Sequence, residues 1–128
     1  MSGTLTLVPT PIGNLGDISP RAARALAEAD FIAAEDTRVT LKLLNHLELH
    51  KPLISYYEHN KAFRGDRIVA RILAGENCAL VSDAGSPAIS DPGEELVRQC
   101  AEAGIPVTAV PGPCAAITAL SISGQLTG

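Results

Sequence analysis

The chain has 128 residues, a formal net charge of −4, 46% hydrophobic residues and only 3% aromatic residues. This length predicts one domain, and a core of small aliphatic side chains is typical of helices packed on a parallel sheet. The composition argues against a membrane span, since no apolar stretch reaches about 18 residues, and the acidic balance argues against a domain that grips nucleic acid by itself.

The first half of the chain is predicted to contain three strands separated by two helices. Ser19 followed by Pro20 is an N-cap with proline at the first helical position, so a helix is expected to begin there. The elements in chain order are a strand at 4–8, a helix at 20–29, a buried strand at 31–34, a helix at 37–46 and a short strand at 53–56 near a sheet edge.

The second half continues the alternation of strands and helices. Asn60 is expected to cap a helix with an apolar stripe that includes Ile68, Ile72 and Leu73, and a capping box at 91–94 predicts the next helix start. The elements in order are a helix ending before Gly75, a strand at 78–81, a helix from 91 to Gly104, a strand at 106–110 and a last helix to about Ser121.

This alternation predicts an α/β fold, with an open, mostly parallel five-stranded sheet and helices on both faces. The carboxyl ends of parallel strands meet at one edge, where ligands bind in such folds. The unusual polar, glycine-rich and proline-rich segments all follow strands and so fall at that edge. They are 9–17, 35–38, 56–60, 82–91 and 111–113.

The loop at 82–93 is the strongest site candidate. It combines two aspartates and three serines with glycines and prolines that let the main chain approach a ligand. Asp83, placed immediately past the fourth strand, is expected to accept hydrogen bonds from hydroxyl or amino groups of a ligand. The alternative is a turn aspartate bonded to its own backbone.

The other loops each have a structural alternative. The loop at 9–16 lacks both the G-x-G-x-x-G pattern and the lysine of a P-loop, and it is either a rigid turn or a ligand contact. In 35–38, Asp36 or Thr37 could simply cap the next helix, and 56–60 could supply a base or a cap. The segment 111–116 places small residues at a helix start, where free N–H groups favour an acceptor.

The cysteines and histidines do not predict a metal site. Cys78, Cys100 and Cys114 lie among apolar or small residues and are expected to be buried free thiols in a reducing cytoplasm. No secretory signal is apparent, so a cytoplasmic protein is expected. Basic residues at 61, 64, 67 and 71 share a helix face, which we interpret as a solvated surface.

Taken together, five segments resemble the amino-terminal half of the tetrapyrrole-methylase-like (class III) S-adenosylmethionine methyltransferases, and in particular the ribosomal RNA branch of that family. The matching segments are 7–18 (LVPTPIGNLGDI), 34–38 (AEDTR), 55–60 (SYYEHN), 81–93 (VSDAGSPAISDPG) and 110–115 (VPGPCA). They occur in order over nearly the entire chain.

The resemblance implies 2′-O-methylation of a cytidine ribose in 16S ribosomal RNA of the small ribosomal subunit, with S-adenosylmethionine as methyl donor and no metal. By position it implies donor contacts from Pro11, Ile12, Asp83, Ala84, Gly85, Ser86, Cys114 and Ala115. It places Arg38, Glu58 and Asn60 nearer the RNA, and Glu35, Asp36 and His59 are candidates for a base at the 2′-hydroxyl.

Relatives in this family continue into a second domain and usually form homodimers, whereas this chain stops at Gly128. We therefore expect residues 1–128 to be an amino-terminal domain that is inactive alone. Two alternatives stay open at this point: a related enzyme that methylates a tetrapyrrole or a protein side chain, and a non-catalytic binding or dimerisation module.

Overall fold

The computed structural model describes residues 2–11, 15–57, 60–83 and 91–110, which form one parallel sheet covered by helices. The strands are β1 (Leu5–Thr10), β2 (Phe31–Ala34), β3 (Leu53–Ser55), β4 (Cys78–Asp83) and β5 (Val107–Ala109). The α-helices are α1 (Pro20–Glu28), α2 (Thr37–His46), α3 (Lys61–Leu73) and α4 (Asp91–Glu102), and a 3₁₀ turn at Leu15–Asp17 precedes α1. The predicted α/β class is confirmed.

The strands lie in the order β3-β2-β4-β1-β5, and each neighbouring pair is parallel. From β1 the chain moves to β2 and then to β3 at one edge. It returns to β4, between β2 and β1, and then runs to β5 on the other edge. Because crossover connections share one hand, this reversal of direction places the later helices on the opposite face.

Two clusters of buried side chains, one on each face of the sheet, show this division. The first joins α1 and α2 to the sheet and contains Val8, Ala22, Leu26, Ala29, Ile32, Leu43, Leu44 and Ala79. The second joins α3 and α4 to the other face and includes Leu5, Leu7, Phe31, Ile68, Ile72, Leu80, Leu96 and Val97. Burying each large aliphatic side chain contributes about 1.5–3 kcal/mol, so both layers hold the strands in place.

Short polar side chains explain where two of the helices begin. The Ser19 hydroxyl oxygen accepts a hydrogen bond from the Ala22 N–H at 3.1 Å, which confirms the predicted cap of α1. The Asp36 carboxylate accepts from the Arg38 N–H at 3.0 Å and caps α2. Asn60 occupies the N-cap position of α3, but its side chain makes no capping hydrogen bond, because it binds the preceding loop instead.

Strand β4 is longer than the sequence predicted. It runs to Asp83, because Ser82 and Asp83 continue the parallel register with Pro9 and Thr10 of β1. Asp83 is therefore the last residue of the strand and not the first of the loop. The short strand β3 lies at an edge, as predicted, and the last predicted helix, which ends near Ser121, falls outside the described residues.

In the part of the chain that the structure describes, no helix combines the length and the apolar character that crossing a membrane requires.

Candidate functional site

A crevice is expected where β1 and β4 end side by side. Pro9 pairs with Ser82 and Thr10 with Asp83 at the carboxyl ends of these strands. The helix that follows β1 packs on one face of the sheet and the helix that follows β4 packs on the other. Adjacent parallel strands whose connections leave to opposite faces define the position at which open α/β sheets bind ligands.

Strand β5 extends this crevice on the far side of β1. The Val110 N–H donates to the Leu7 carbonyl oxygen at 2.9 Å, so the chain leaves β5 at the same edge. Of the predicted donor contacts, Pro11, which is half-buried, follows β1, and Asp83 ends β4. The other predicted contacts, namely Ile12, Ala84, Gly85, Ser86, Cys114 and Ala115, lie outside the described residues.

A second polar group lies at the end of β2. Glu35 and Asp36 follow the strand directly and are both exposed, as is Arg38 in the first turn of α2. The Arg38 side chain donates to the Asp36 carboxylate at 3.4 Å. Hydrogen bonding from Arg38 holds the pKa of Asp36 below its ordinary value. Asp36 also caps α2, which is the structural role that the sequence left open for it.

A third polar group lies at the end of β3, beside the second one. Ala34 of β2 pairs with Ser55 of β3, and the Tyr56 N–H donates to the Ala34 carbonyl oxygen at 2.9 Å. Tyr56 is buried, whereas 41% of Tyr57 is exposed. Glu58 and His59, predicted for the RNA side and for the base, lie outside the described residues.

Asn60 ties the third group to the sheet. Its amide oxygen accepts from the Tyr57 N–H at 2.7 Å, and its amide nitrogen donates to the Ser55 carbonyl oxygen at 3.0 Å. The Asn60 N–H also donates to the Tyr57 carbonyl oxygen at 3.0 Å. This side chain therefore fixes the path of the chain from β3 into α3, and its predicted RNA contact stays a prediction.

The strand order separates the predicted site residues into two neighbouring groups at one edge. Pro11 and Asp83 belong to the ends of β1 and β4, whereas Glu35, Asp36 and Asn60 belong to the ends of β2 and β3. Because β2 lies next to β4, the polar groups flank the crevice on one side. This arrangement is suited to holding one ligand in the crevice and a second one beside it.

Two of the cysteines are buried thiols with raised pKa values, and the described residues hold no group of metal ligands. Burial raises the pKa of the Cys100 thiol to about 11, and it raises the pKa of Cys78 still further. Both cysteines are free and buried, as predicted, and Cys114 lies outside the described residues. Among the residues described, no three histidine, cysteine or acidic side chains are grouped as metal ligands.

Two features of this edge are not predicted by the sequence pattern. The pattern places Thr10 in a loop, but Thr10 ends β1 opposite Asp83 and is half-buried at the expected crevice. Phe63, in the first turn of α3, is 64% exposed although the chain has only two phenylalanines. Its position off the apolar stripe formed by Ile68 and Ile72 was the available signal. Leu73 was predicted for the same stripe, but it is 48% exposed, so that prediction was wrong.

Sequence comparison identifies the family. The model of the Tetrapyrrole (Corrin/Porphyrin) Methylases matches residues 4–127. A Synechocystis relative named "Ribosomal RNA small subunit methyltransferase I" is 56% identical over 125 residues, which are 98% of this chain and 45% of the relative. An Escherichia coli O157:H7 relative of the same name is 54% identical over 122 residues, which are 95% of this chain and 43% of the relative. The chain therefore spans less than half the length of these curated relatives.

Solved structures show the same fold. The uroporphyrin-III-C-methyltransferase of Thermus thermophilus superposes with a TM-score of 0.68 at 26% identity, over 97% of this chain and 54% of that chain. A diphthine synthase superposes with a TM-score of 0.67 at 17% identity, over 86% of this chain and 44% of that chain. The second likeness concerns the fold alone.

Proposed function

The chain belongs to the tetrapyrrole methylase family, and we propose that it forms the donor-binding half of an S-adenosylmethionine-dependent ribosomal RNA methyltransferase. The observation that carries this proposal is the switch in helix face at the adjacent ends of β1 and β4. It supplies a ligand position, and the high identity to the ribosomal RNA relatives supports the choice of substrate.

The residues at the crevice fit such a donor. A nucleoside and an amino acid group need hydrogen-bond donors and acceptors, and the paired strand ends Thr10 and Asp83 lie at the edge where open α/β sheets bind such ligands. The half-buried Thr10 and Pro11 supply a wall without a large side chain. We assign the donor contacts to Pro11, Asp83 and the neighbouring loop residues of the sequence prediction.

The donor supplies a methyl group already activated as a sulfonium. The protein then mainly has to hold the acceptor oxygen in line with that methyl carbon and keep both in place. We propose that the acceptor is the 2′-hydroxyl of a cytidine in 16S ribosomal RNA. The polar groups after β2 and β3, which flank the crevice, are the residues that we assign to the RNA.

The proton of the 2′-hydroxyl needs an acceptor. Asp36 is the weakest of the three candidates, because Arg38 lowers its pKa and occupies its carboxylate. Glu35 is exposed at the end of the same strand, and His59 follows β3. We therefore assign the base to Glu35 or His59 ahead of Asp36.

We further propose that residues 1–128 supply only one wall of the donor pocket. The curated relatives are more than twice as long as the segment that they share with this chain. A second domain would close the crevice, complete the RNA surface and support a homodimer. Residues 1–128 alone are then expected to bind the donor weakly and to transfer no methyl group.

A tetrapyrrole or a protein side chain is the competing substrate. The solved tetrapyrrole enzyme shares the fold, but its identity to this chain is 26%, whereas the Synechocystis relative reaches 56%. The difference favours ribosomal RNA.

The decisive experiment uses a chimera in which residues 1–128 replace the matching part of the E. coli relative. We expect the chimera to transfer a labelled methyl group from S-adenosylmethionine to 30S subunits and not to uroporphyrinogen III. Residues 1–128 alone should transfer none. A chimera that melts cooperatively but methylates only the tetrapyrrole, or nothing, contradicts the proposal.

Asp83→Asn in the chimera tests the crevice directly. Losing a hydrogen bond to a charged acceptor costs about 1.5–3 kcal/mol, so the Kd measured by calorimetry with S-adenosylhomocysteine should rise roughly 10- to 100-fold. Asp66→Asn, on the exposed surface of α3, is the matched control and should leave the Kd unchanged. Equal Kd values for the two variants would place the donor elsewhere.

A further inference from the structure

An exposed aromatic ring lies at the start of α3. Phe63 is 64% exposed, which is the highest value among the large hydrophobic side chains of the described residues. The Arg67 guanidinium, one helical turn later, lies 5.0 Å from the centre of the ring. Exposed aromatic rings and arginine guanidinium planes are the groups on which unpaired nucleic-acid bases stack.

Two cations on this flank of α3 are available for a ligand. Arg38, Arg71 and Arg98 are each paired with a carboxylate. Within the described residues, no carboxylate lies at ion-pair distance from Arg64 or Arg67. These two residues therefore keep their charge available to an external anion.

The ring and the two cations lie next to the candidate site. Helix α3 begins six residues after Ser55, the last residue of β3, so Phe63 in its first turn lies near the carboxyl edge of the sheet. Asn60 fixes the connection by bonding Ser55 and Tyr57. Tyr57, which is 41% exposed, belongs to the same stretch.

We propose that Phe63, Arg64 and Arg67 form a platform on which an unpaired base of the RNA stacks. This inference rests on the proposed function and names how its substrate is held. Single-stranded RNA combines flat bases that stack on aromatic rings and guanidinium planes with phosphates that attract cations. The platform offers both features within two turns of one helix.

The charge of the chain favours stacking over a broad electrostatic grip. The net charge of −4 and the small number of basic residues on this flank argue against duplex binding through many phosphate contacts. Stacking of one base needs one ring and few charges. The platform should therefore prefer single-stranded over double-stranded RNA.

Fluorescence anisotropy with the chimera, in the absence of S-adenosylmethionine, tests the platform without any methyl transfer. The probes are a labelled unstructured RNA of about 12 nucleotides, which spans a typical single-strand site, and the same sequence as a duplex. We expect Phe63→Ala to raise the Kd for the single strand roughly 10-fold, the loss of one stacked base, and to change the duplex Kd little. Leu73→Ala, which truncates another exposed side chain of α3, is the control and should have no effect.

The salt dependence separates stacking from charge. Arg64→Gln should reduce the slope of log K against log salt by about 0.7, the value for one phosphate contact of a single strand, whereas Phe63→Ala should leave the slope unchanged. Arg24→Gln, at an exposed position of α1 on the other face of the sheet, should leave the slope at its original value.

Several results would overturn the platform. They are equal Kd values for Phe63→Ala and the unmodified chimera, equal binding of single strand and duplex, and no binding of the single strand at all. A Phe63→Ala variant that changes the sedimentation mass of the protein would instead identify a second copy of the chain as the occupant. The platform and the proposed function can fail separately. If the chimera binds RNA through Phe63 but methylates no 30S subunit, the proposed methyltransferase function is refuted and the platform is retained.

Discussion

Short polar side chains at the carboxyl edge of the sheet have structural roles in addition to any functional role. Asp36 caps α2 and Asn60 joins Ser55 to Tyr57, and both residues were singled out in the sequence as site candidates. Such side chains bind nearby backbone groups readily, because they carry hydrogen-bonding atoms at short reach. A polar residue in a loop after a strand is therefore weak evidence for catalysis until its partners are known.

Truncating Asn60 should destabilise the protein and loosen the loop before α3. Asn60→Ala removes hydrogen bonds to the Tyr57 N–H and the Ser55 carbonyl oxygen, and we expect the free energy of unfolding in urea to fall by about 1–2 kcal/mol. Asn45→Ala, an exposed asparagine of α2, is the control and should change it by less than about 0.5 kcal/mol. Similar values for both variants would show that the Asn60 side chain is not bound in solution.

At the scale of elements, strands and helices were predicted well because their signals are local. Ser19 with Pro20 marked the start of α1, and the buried run at 31–34 marked β2. The end of β4 was missed because Ser82 and Asp83 are strand residues only through their pairing with β1. Polar residues carry no local strand signal, so only the partner strand reveals that the strand continues.

The contact between α3 and α4 gives a prediction about a glycine. Gly65 is buried against α4, and a Cβ at this position would lie 2.4 Å from the Gln99 side-chain oxygen. Alanine is favoured over glycine inside a helix by about 1 kcal/mol, but here Gln99 must move first. We expect Gly65→Ala alone to stabilise the protein little or not at all, and to stabilise a Gln99→Ala protein by about 1 kcal/mol.

A double-mutant cycle in urea measures this coupling. The Gln99 oxygen is buried and has no hydrogen-bond partner among the described residues, so steric contact is the expected source of the coupling energy. Residues in contact typically couple by about 0.5–3 kcal/mol. Strictly additive effects of the two substitutions would show that the helices adjust their spacing without involving Gln99.

For the whole molecule, the sequence predicted a parallel sheet but not the order of its strands. The order decides where the crevice lies, because only the adjacency of β1 and β4 brings Thr10 next to Asp83. Strand order depends on how the helices pack on the two faces of the sheet, and no single segment of the sequence indicates that packing. The common edge could therefore be predicted from sequence, whereas its division into the ends of β1 and β4 and a flanking polar group required the structure.

The two helix layers should act as one cooperative unit, since both pack on the same five strands. Ile32→Val removes one methylene group from the buried cluster that joins α1 and α2 to the sheet. Ile72→Val removes one from the cluster that joins α3 and α4 to the other face. Both side chains are fully buried. Each substitution should lower the free energy of unfolding by about 0.5–1.5 kcal/mol. The effects of the two substitutions should add within about 0.5 kcal/mol in the double variant, because the side chains belong to separate clusters.

Urea unfolding followed by circular dichroism checks this prediction. It should show a single transition for the original protein, for each single variant and for the double variant. A second transition in either variant would mean that one layer opens alone, and the helices on the two sides of the expected crevice at the ends of β1 and β4 would then move independently.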